Sequence, residues 1–183
     1  MNPVSLKTAA VCLIFMVGSL TVYAQTPATE NEHRMESNLI DTIPNLKHPA
    51  DDLLTGGQPS PDAIRALKAQ GMDVVINLRG VGENDAFNEE TLTDTLNVSY
   101  YTIPIASAAD LNRQNATALD QILKHHKDQQ ILVHCASGNR VGALFALRAA
   151  WLQSKSIDEA LEIGHEHGLT GLEPQVAAIL AEQ

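Results

Sequence analysis

The sequence predicts an α/β domain in which a mainly parallel central sheet is flanked by helices. Short apolar runs alternate with amphipathic stretches through most of the chain. The run DVVINL at residues 73–78 is rich in Val and Ile and nearly continuous in apolar character, which is typical of a strand buried on both faces. Helix-start signals separate such runs, and this alternation favours parallel strands joined by helices.

The first half of the domain contains three predicted strands and two predicted helices. Apolar runs predict strands at residues 39–44, 53–55 and 73–78. Ser60 is a good helix cap, Pro61 suits the first helical position, and Gly71 ends the helix between them. A second helix is predicted at residues 86–96, after a polar loop.

The second half repeats this alternation. Further strands are predicted at residues 98–105 and 130–133, and further helices at residues 111–127 and 139–152. Ser156 and Glu159 fit a capping box that starts another helix, and Pro174 begins a last one. In such sheets ligands bind at the carboxyl ends of strands, beside the amino ends of the helices that follow.

The residues before the domain predict export. Residues 1–24 have the form of a signal peptide, with Lys7 ahead of an apolar stretch and the small residue Ala24 at the cleavage position. An uncleaved anchor is the alternative, although the stretch is short for a bilayer span. Residues 25–37 are polar and predict a flexible lead-in, and residues 38–183 form the domain. We therefore expect a secreted protein, located in the periplasm of a Gram-negative host.

Charge and cysteine content narrow the possible functions. Removal of the leader takes away one of 12 basic residues and none of the 22 acidic ones, so the net charge changes from −10 to −11. This acidic balance argues against nucleic acid or an anionic membrane as a partner. Cys135 would be the single cysteine of the mature chain, so it cannot form an internal disulfide.

The segment HCASGNR, residues 134–140, has the composition of a reactive anion site. It lies between a predicted strand and a predicted helix, where small residues let backbone N–H groups surround an anion. A helix amino terminus and a nearby cation lower the pKa of cysteine thiols, which predicts a nucleophilic thiolate at Cys135. The guanidinium of Arg140 matches two oxygens of a phosphate or another oxyanion. The alternative is that Cys135 is a small buried residue at a strand end.

The run HCASGNRVGAL resembles the active-site loop of cysteine-dependent tyrosine and dual-specificity phosphatases. In particular it is similar to the beta-lactamase hydrolase-like protein phosphatase-like domain family. Residues 56–80 and the IPI segment at residues 103–105 resemble the same family, and the similarity spans residues 39–172. The resemblance implies a protein-tyrosine-phosphatase-like fold and hydrolysis without a metal or another cofactor.

The resemblance also implies roles for individual residues. Cys135 would be the nucleophile that forms a phosphocysteine, and Arg140 would bind the phosphoryl oxygens. Phosphate would be bound along the loop by Ala136, Ser137, Gly138, Asn139 and Arg140. Asp110 would be the general acid, with capping of the helix at residues 111–127 as its alternative role. Glu83 and Asp85 are weaker candidates for the acid. His134 is expected to orient the cysteine loop by hydrogen bonding.

Two departures from the phosphatase pattern leave other activities open. Four residues separate Cys135 from Arg140 where the usual loop has five, and Val141 replaces the hydroxyl residue that usually follows the arginine. The short loop also fits a rhodanese-like sulfurtransferase, in which the same cysteine carries a persulfide. A non-catalytic module that binds oxyanions is the third possibility. The expected partner is a phosphorylated small molecule or protein, and the oligomeric state stays open.

Overall fold

A computed structural model describes residues 27–83 and 86–182. The strands are β1 (Lys47–Ala50), β2 (Leu53–Gly56), β3 (Met72–Asn77), β4 (Ser99–Thr102) and β5 (Gln130–His134). The helices are α1 (Pro27–Ile40), α2 (Pro61–Ala69), α3 (Glu89–Thr95), α4 (Arg113–His125), α5 (Asn139–Gln153), α6 (Ile157–Glu166) and α7 (Glu173–Ala181). A 3₁₀ turn at Ala108–Asp110 precedes α4.

The five strands form one sheet in the order β1-β2-β5-β3-β4. Strands β2, β5, β3 and β4 are parallel, and β1 pairs antiparallel at one edge. The predicted mainly parallel sheet flanked by helices is therefore confirmed. Gly56 and Asn77 both pair with His134, so the carboxyl ends of three neighbouring strands meet where the cysteine loop begins.

Both faces of the sheet are covered by helices. In β5, Val133 faces a core that includes residues of α4, α5, α6 and α7, whereas the adjacent Leu132 faces a core with residues of α2. Complete burial of such a side chain stabilises the fold by about 1.5–3 kcal/mol. Continuous apolar character in the central strands follows from this two-sided burial.

The apolar helix α5 fixes the direction of the cysteine loop. It runs through the larger core and packs closely on α6 where Gly142 approaches Gly164. A Cβ atom on Gly142 would lie 2.0 Å from the backbone nitrogen of Leu169. This close contact requires glycine, and it holds the amino end of α5 beside the carboxyl end of β5.

Three predictions about the first fifty residues differ from the structure or lie outside it. Residues 39–44 are the end of α1 and a turn rather than a strand, because Ile40 and Ile43 are buried three positions apart in the core beside α2. The edge strand β1 has the sequence KHPA, which carries no apolar signal. Helix α1 covers most of the predicted lead-in. The predicted signal peptide lies outside the described residues, and the domain division stays a prediction.

Within residues 27–83 and 86–182, no helix combines the length and apolar character needed to cross a membrane.

Candidate active site

The loop after β5 places Cys135 at the amino end of α5. The backbone N–H of Gly138 donates a hydrogen bond to Cys135 Sγ at 3.2 Å. The cysteine N–H donates to the carbonyl of Gly56 at 3.2 Å, and the whole residue is only 1% exposed. Gly138 has φ 88°, a conformation that favours glycine and that turns the chain into α5. The sulfur therefore lies at the floor of a tight turn, beside helix N–H groups without intrahelical partners.

Segments distant in sequence hold this loop in place. Gln58 N–H donates to the carbonyl of Ala136 at 3.2 Å, and Gly57 pairs with Ser137 in an isolated bridge. A Cβ atom on Gly57 would lie 2.7 Å from the oxygen of Ala136, so only glycine fits beside the loop. Asn45 Nδ2 lies 3.4 Å from the carbonyl oxygen of Ser137.

The far side of the loop is tied to the segment before α7. Asn45 Nδ2 also donates to the carbonyl of Gly168 at 3.2 Å. The Oδ1 atom of Asn139 accepts hydrogen bonds from the N–H groups of Thr170 and Leu172 at 2.9 and 3.3 Å. The loop is therefore braced from two sides before any ligand is bound.

Arg140 makes a two-point ion pair with Glu83. Its Nη1 and Nη2 atoms donate to Glu83 Oε1 and Oε2 at 2.6 and 2.7 Å, and Nη1 also donates to the carbonyl of Ile105 at 2.7 Å. The hydrogen bond from Arg140 lowers the pKa of Glu83 to about 2, and the same bond raises the pKa of Arg140. The side chain of Cys135 also raises the arginine pKa, through its electrostatic interaction and its hydrogen bond with the guanidinium. The guanidinium is thus held beside both the cysteine and Glu83.

This arrangement does not suit Glu83 as a proton donor, because Arg140 holds both of its carboxylate oxygens and lowers its pKa to about 2. Its other contacts support the same conclusion: Gly80 N–H donates to Oε1 at 2.8 Å, and Arg79 Nε lies 3.6 Å from Oε2. Asp85, the other weak candidate for the acid, lies outside the described residues.

Asp110 lies in the loop that follows β4. Its Oδ2 atom accepts hydrogen bonds from the N–H groups of Ala106 and Ser107 at 3.1 and 2.8 Å and from Ser107 Oγ at 3.0 Å. The bond from the Ser107 N–H is the main reason that the pKa of Asp110 is lowered. The residue caps the 3₁₀ turn, whereas Asn112 caps α4, so its capping role differs from the predicted one.

Two clefts border the site. A cleft of about 430 Å³ is lined partly by Asn77, Arg79 and Tyr100 at the ends of β3 and β4. A smaller cleft of about 170 Å³ is lined by Arg140, by Ala106 and Ser107, and by apolar residues that include Leu172. Arg140 therefore shares a cleft with the residues that hold Asp110.

Four residues that position the loop were not identified from the sequence. They are Asn45, Gln58, Glu83 as a partner of Arg140, and Glu89, whose carboxylate lies 3.1 Å from His134 Nε2. Each is a single polar residue in a polar or amphipathic stretch, so the sequence pattern offers no signal for its tertiary contact. Within the described ranges, no cluster of His, Cys, Asp and Glu side chains could hold a metal ion.

A family model matches residues 35–175 of the chain and is described as DSP-PTPase phosphatase fused to NAD+ kinase. The chain belongs to this family. Membership in the DSP-PTPase phosphatases confirms the predicted resemblance and makes the chain a cysteine-dependent phosphatase at the level of the family.

Curated relatives agree with the more specific resemblance. The chain is 29% identical over 122 residues to the beta-lactamase hydrolase-like protein of Xylella fastidiosa, in strains Temecula1 and 9a5c. This match covers 63% of the chain but 27% of each relative. The DSP-PTPase domain thus spans about a quarter of those longer proteins.

Solved structures have the same fold. A DUF442 protein of Shewanella putrefaciens CN-32 has a TM-score of 0.59 at 23% identity, with 79% of this chain and 96% of that chain covered. Tk-PTP in its active form has a TM-score of 0.58 at 19% identity, with coverages of 76% and 98%. Pseudomonas aeruginosa TpbA, solved in complex with pTyr, has a TM-score of 0.54 at 17% identity, with coverages of 74% and 82%. At these identities the likeness establishes a protein-tyrosine-phosphatase-like fold.

Proposed function

We propose that the protein hydrolyses phosphate monoesters through a phosphocysteine at Cys135. The observation that carries the proposal is the position of its sulfur, which accepts the Gly138 N–H at the amino end of α5 and lies beside Arg140. A helix amino terminus and a guanidinium both stabilise a thiolate and a bound phosphate dianion. The braced loop holds its backbone N–H groups in place without rearrangement, which favours electrostatic catalysis.

The first step transfers the phosphoryl group to the enzyme. The thiolate of Cys135 attacks phosphorus, the S–P bond forms, and the bond from phosphorus to the leaving oxygen breaks. Asp110 gives its proton to that oxygen. Arg140 and the N–H groups of the loop hold the phosphoryl oxygens, so Arg140 must share its donors between Glu83 and the substrate.

The second step restores the thiolate. Water attacks phosphorus, its proton passes to the carboxylate of Asp110, and the S–P bond breaks to release inorganic phosphate. Val141 offers no hydroxyl to the departing sulfur, so we expect this step to limit turnover. For both steps the carboxyl of Asp110 must leave Ser107 and turn toward the cleft that Ser107 shares with Arg140.

Hydrolysis of an aryl phosphate tests the proposal. Because TpbA was solved with pTyr, p-nitrophenyl phosphate is a suitable first substrate. Wild type should release nitrophenol and, after an acid quench, should carry a phosphate on Cys135 that mass spectrometry detects. Cys135→Ser should show neither. Equal rates in wild type and in Cys135→Ser would exclude the covalent mechanism.

Sulfur transfer is the second candidate, because the loop between Cys135 and Arg140 is one residue shorter than in the usual phosphatase. A shorter loop encloses less space, and a persulfide sulfur occupies less space than a phosphoryl group. Formation of thiocyanate from thiosulfate and cyanide, without phosphate release, would favour this activity. If the protein catalyses neither phosphate release nor thiocyanate formation but binds phosphate, and Arg140→Ala loses that binding, it is a non-catalytic oxyanion module.

Export remains part of the proposal. The leader-like residues 1–24 support secretion into the periplasm. Expression of the whole chain in a Gram-negative host should give a periplasmic protein whose first residue is Gln25. Recovery of the uncleaved chain in the membrane fraction would favour an anchor instead.

A further inference from the structure

Two buried side chains lie behind the cysteine loop and have no part in the proposed reaction steps. His134 is fully buried, and Glu89 at the start of α3 is 6% exposed. His134 Nε2 lies 3.1 Å from Glu89 Oε1, and its Nδ1 lies 3.4 Å from the carbonyl oxygen of Cys135. Both ring nitrogens of His134 therefore face oxygen atoms.

Glu89 also contacts two amide side chains. Its Oε2 atom accepts a hydrogen bond from Asn77 Nδ2 at 3.2 Å, and Gln58 Nε2 lies 3.5 Å from both carboxylate oxygens. The backbone N–H of Gln58 in turn holds the carbonyl of Ala136. One buried carboxylate thus connects the ends of β3 and β5 with the segment that braces the cysteine loop.

The oxygen atoms around His134 determine which protonation state fits. A neutral imidazole has one N–H and one lone pair, so beside an ionised Glu89 either tautomer would set a lone pair against an oxygen. An imidazolium carries an N–H on both nitrogens. The Nε2–H lacks the geometry of a hydrogen bond to Glu89. The imidazolium and the carboxylate therefore attract each other as opposite charges at close range. A charge at this depth must be paired, and each of the two groups supplies the counter-charge of the other.

Of the other ionisable groups near the pair, the thiolate of Cys135 favours a cation at this position, whereas the guanidinium of Arg79 opposes one. Cys135 follows His134 in the chain and is negative as a thiolate. The guanidinium of Arg79, from the loop after β3, contacts the far end of Gln58, and the hydroxyl of Tyr100 from β4 accepts from Asn77.

We propose that Glu89 is a positioning residue that holds His134 as an imidazolium. The Nδ1–H of this ring then donates to the carbonyl of Cys135 and fixes the first peptide of the anion-binding loop. The buried cation also adds positive potential next to the sulfur. Glu89 acts through His134 and does not touch the substrate. The effect on phosphate rests on the proposed function, whereas the protonation of His134 does not.

Nitrogen NMR of the whole protein, labelled at histidine, tests the protonation directly. The ring signals of His134 are assigned from their loss in His134→Asn. At neutral pH both ring nitrogens in wild type should have imidazolium shifts. Glu89→Gln, which keeps the size of the side chain but removes its charge, should give one protonated and one unprotonated nitrogen.

The matched control is Glu90→Gln. Glu90 is the next residue of α3 and is exposed, and this substitution also removes one negative charge. It should leave the His134 signals unchanged. A neutral ring in wild type overturns the proposal, and so does an imidazolium that persists in folded Glu89→Gln. If Glu89→Gln does not fold, the wild-type spectrum alone decides the question.

Phosphate protection of Cys135 against iodoacetamide tests the consequence for the loop. Glu89→Gln should bind inorganic phosphate about tenfold more weakly, a difference of about 1.4 kcal/mol, while Glu90→Gln should match wild type. Equal protection in both variants overturns the positioning role. A protein that has the imidazolium but hydrolyses no aryl phosphate would contradict the proposed function and leave the assignment of Glu89 standing.

Discussion

The two ends of the candidate site are held by different kinds of contact. At the nucleophile end, the loop from Cys135 is braced by Gly56 and Gln58, far away in sequence, and its amino acids are nearly all small. At the acid end, the three hydrogen bonds to Asp110 come from Ala106 and Ser107, four and three residues earlier in the chain. The first end is part of the core, and the second is a local turn on the surface.

This difference assigns different tasks to the two ends. The cysteine loop cannot change shape without breaking contacts among β2, β5 and α5, so its N–H groups are fixed before the substrate arrives. The turn at Asp110 can open at the cost of a few exposed hydrogen bonds, each worth about 1 kcal/mol. Anion binding is therefore preorganised, whereas proton transfer depends on movement of a loop.

The largest effect is expected at the preorganised end. Arg140→Lys keeps the charge but removes the paired donors that contact two oxygens at once. We expect kcat/KM for p-nitrophenyl phosphate to fall about 10²- to 10³-fold, as for the loss of one donor to a developing oxyanion. Steady-state kinetics measures this change.

Arg148→Lys is the control for that substitution. Arg148 lies on the same helix, where it pairs with Asp120 rather than with the site. Its replacement should leave kcat/KM near the wild-type value. An equal loss in both variants would mean that the effect comes from α5 as a whole and not from anion binding.

A smaller effect, which depends on the leaving group, is expected at the mobile end. Asp110→Asn removes the proton donor of the first step, so kcat/KM for phenyl phosphate, which reports on that step, should fall about 100-fold. Nitrophenolate leaves without a proton, so the loss for p-nitrophenyl phosphate should be much smaller. Comparison of the two esters in the two proteins measures the effect.

Exposed Asp128 provides the matched control, and Asp128→Asn should change neither rate. Equal losses on both esters in Asp110→Asn would show that Asp110 only shapes its turn. Ser107→Ala should raise the pKa of Asp110 toward its ordinary value, because the hydroxyl bond that stabilises the carboxylate is lost.

The sequence predicted the preorganised end better than the bracing around it. The loop could be identified because its residues are contiguous and its chemistry is local: a cysteine, a glycine and an arginine between a strand and a helix. Glu83 and Arg140 are 57 positions apart in the sequence, and Asn45 and Gly168 are 123 apart, so no local sequence pattern predicts either contact. The misassigned strand at residues 39–44 has the same cause, since burial against α2 decides its structure.

Gly138 tests how closely the loop depends on its backbone. With φ 88° and Asn45 Nδ2 only 3.0 Å from a built Cβ, Gly138→Ala introduces both strain and crowding. We expect unfolding free energy to fall by about 1–2 kcal/mol, and phosphate protection of Cys135 to weaken. Gly71→Ala is the control, because Gly71 also has positive φ but no atom within 4 Å of its Cβ position. Gly71→Ala should lower the unfolding free energy by a similar amount without changing phosphate binding.

The smallest effect is expected for Glu83→Gln, which tests the ion pair that joins the anion site to the loop after β3. The pKa of Glu83 is lowered from 4.5 to about 2, so the ionised carboxylate stabilises the fold above pH 4.5. That contribution disappears as the pH falls from 4.5 to about 2, because the carboxylate is protonated in this interval. Since Glu83 is partly exposed, we expect a difference of at most about 1 kcal/mol at neutral pH. Urea unfolding over this pH range should show a steeper loss in wild type than in Glu83→Gln. Parallel curves would mean that Arg140 is held by Ile105 and the loop without help from Glu83.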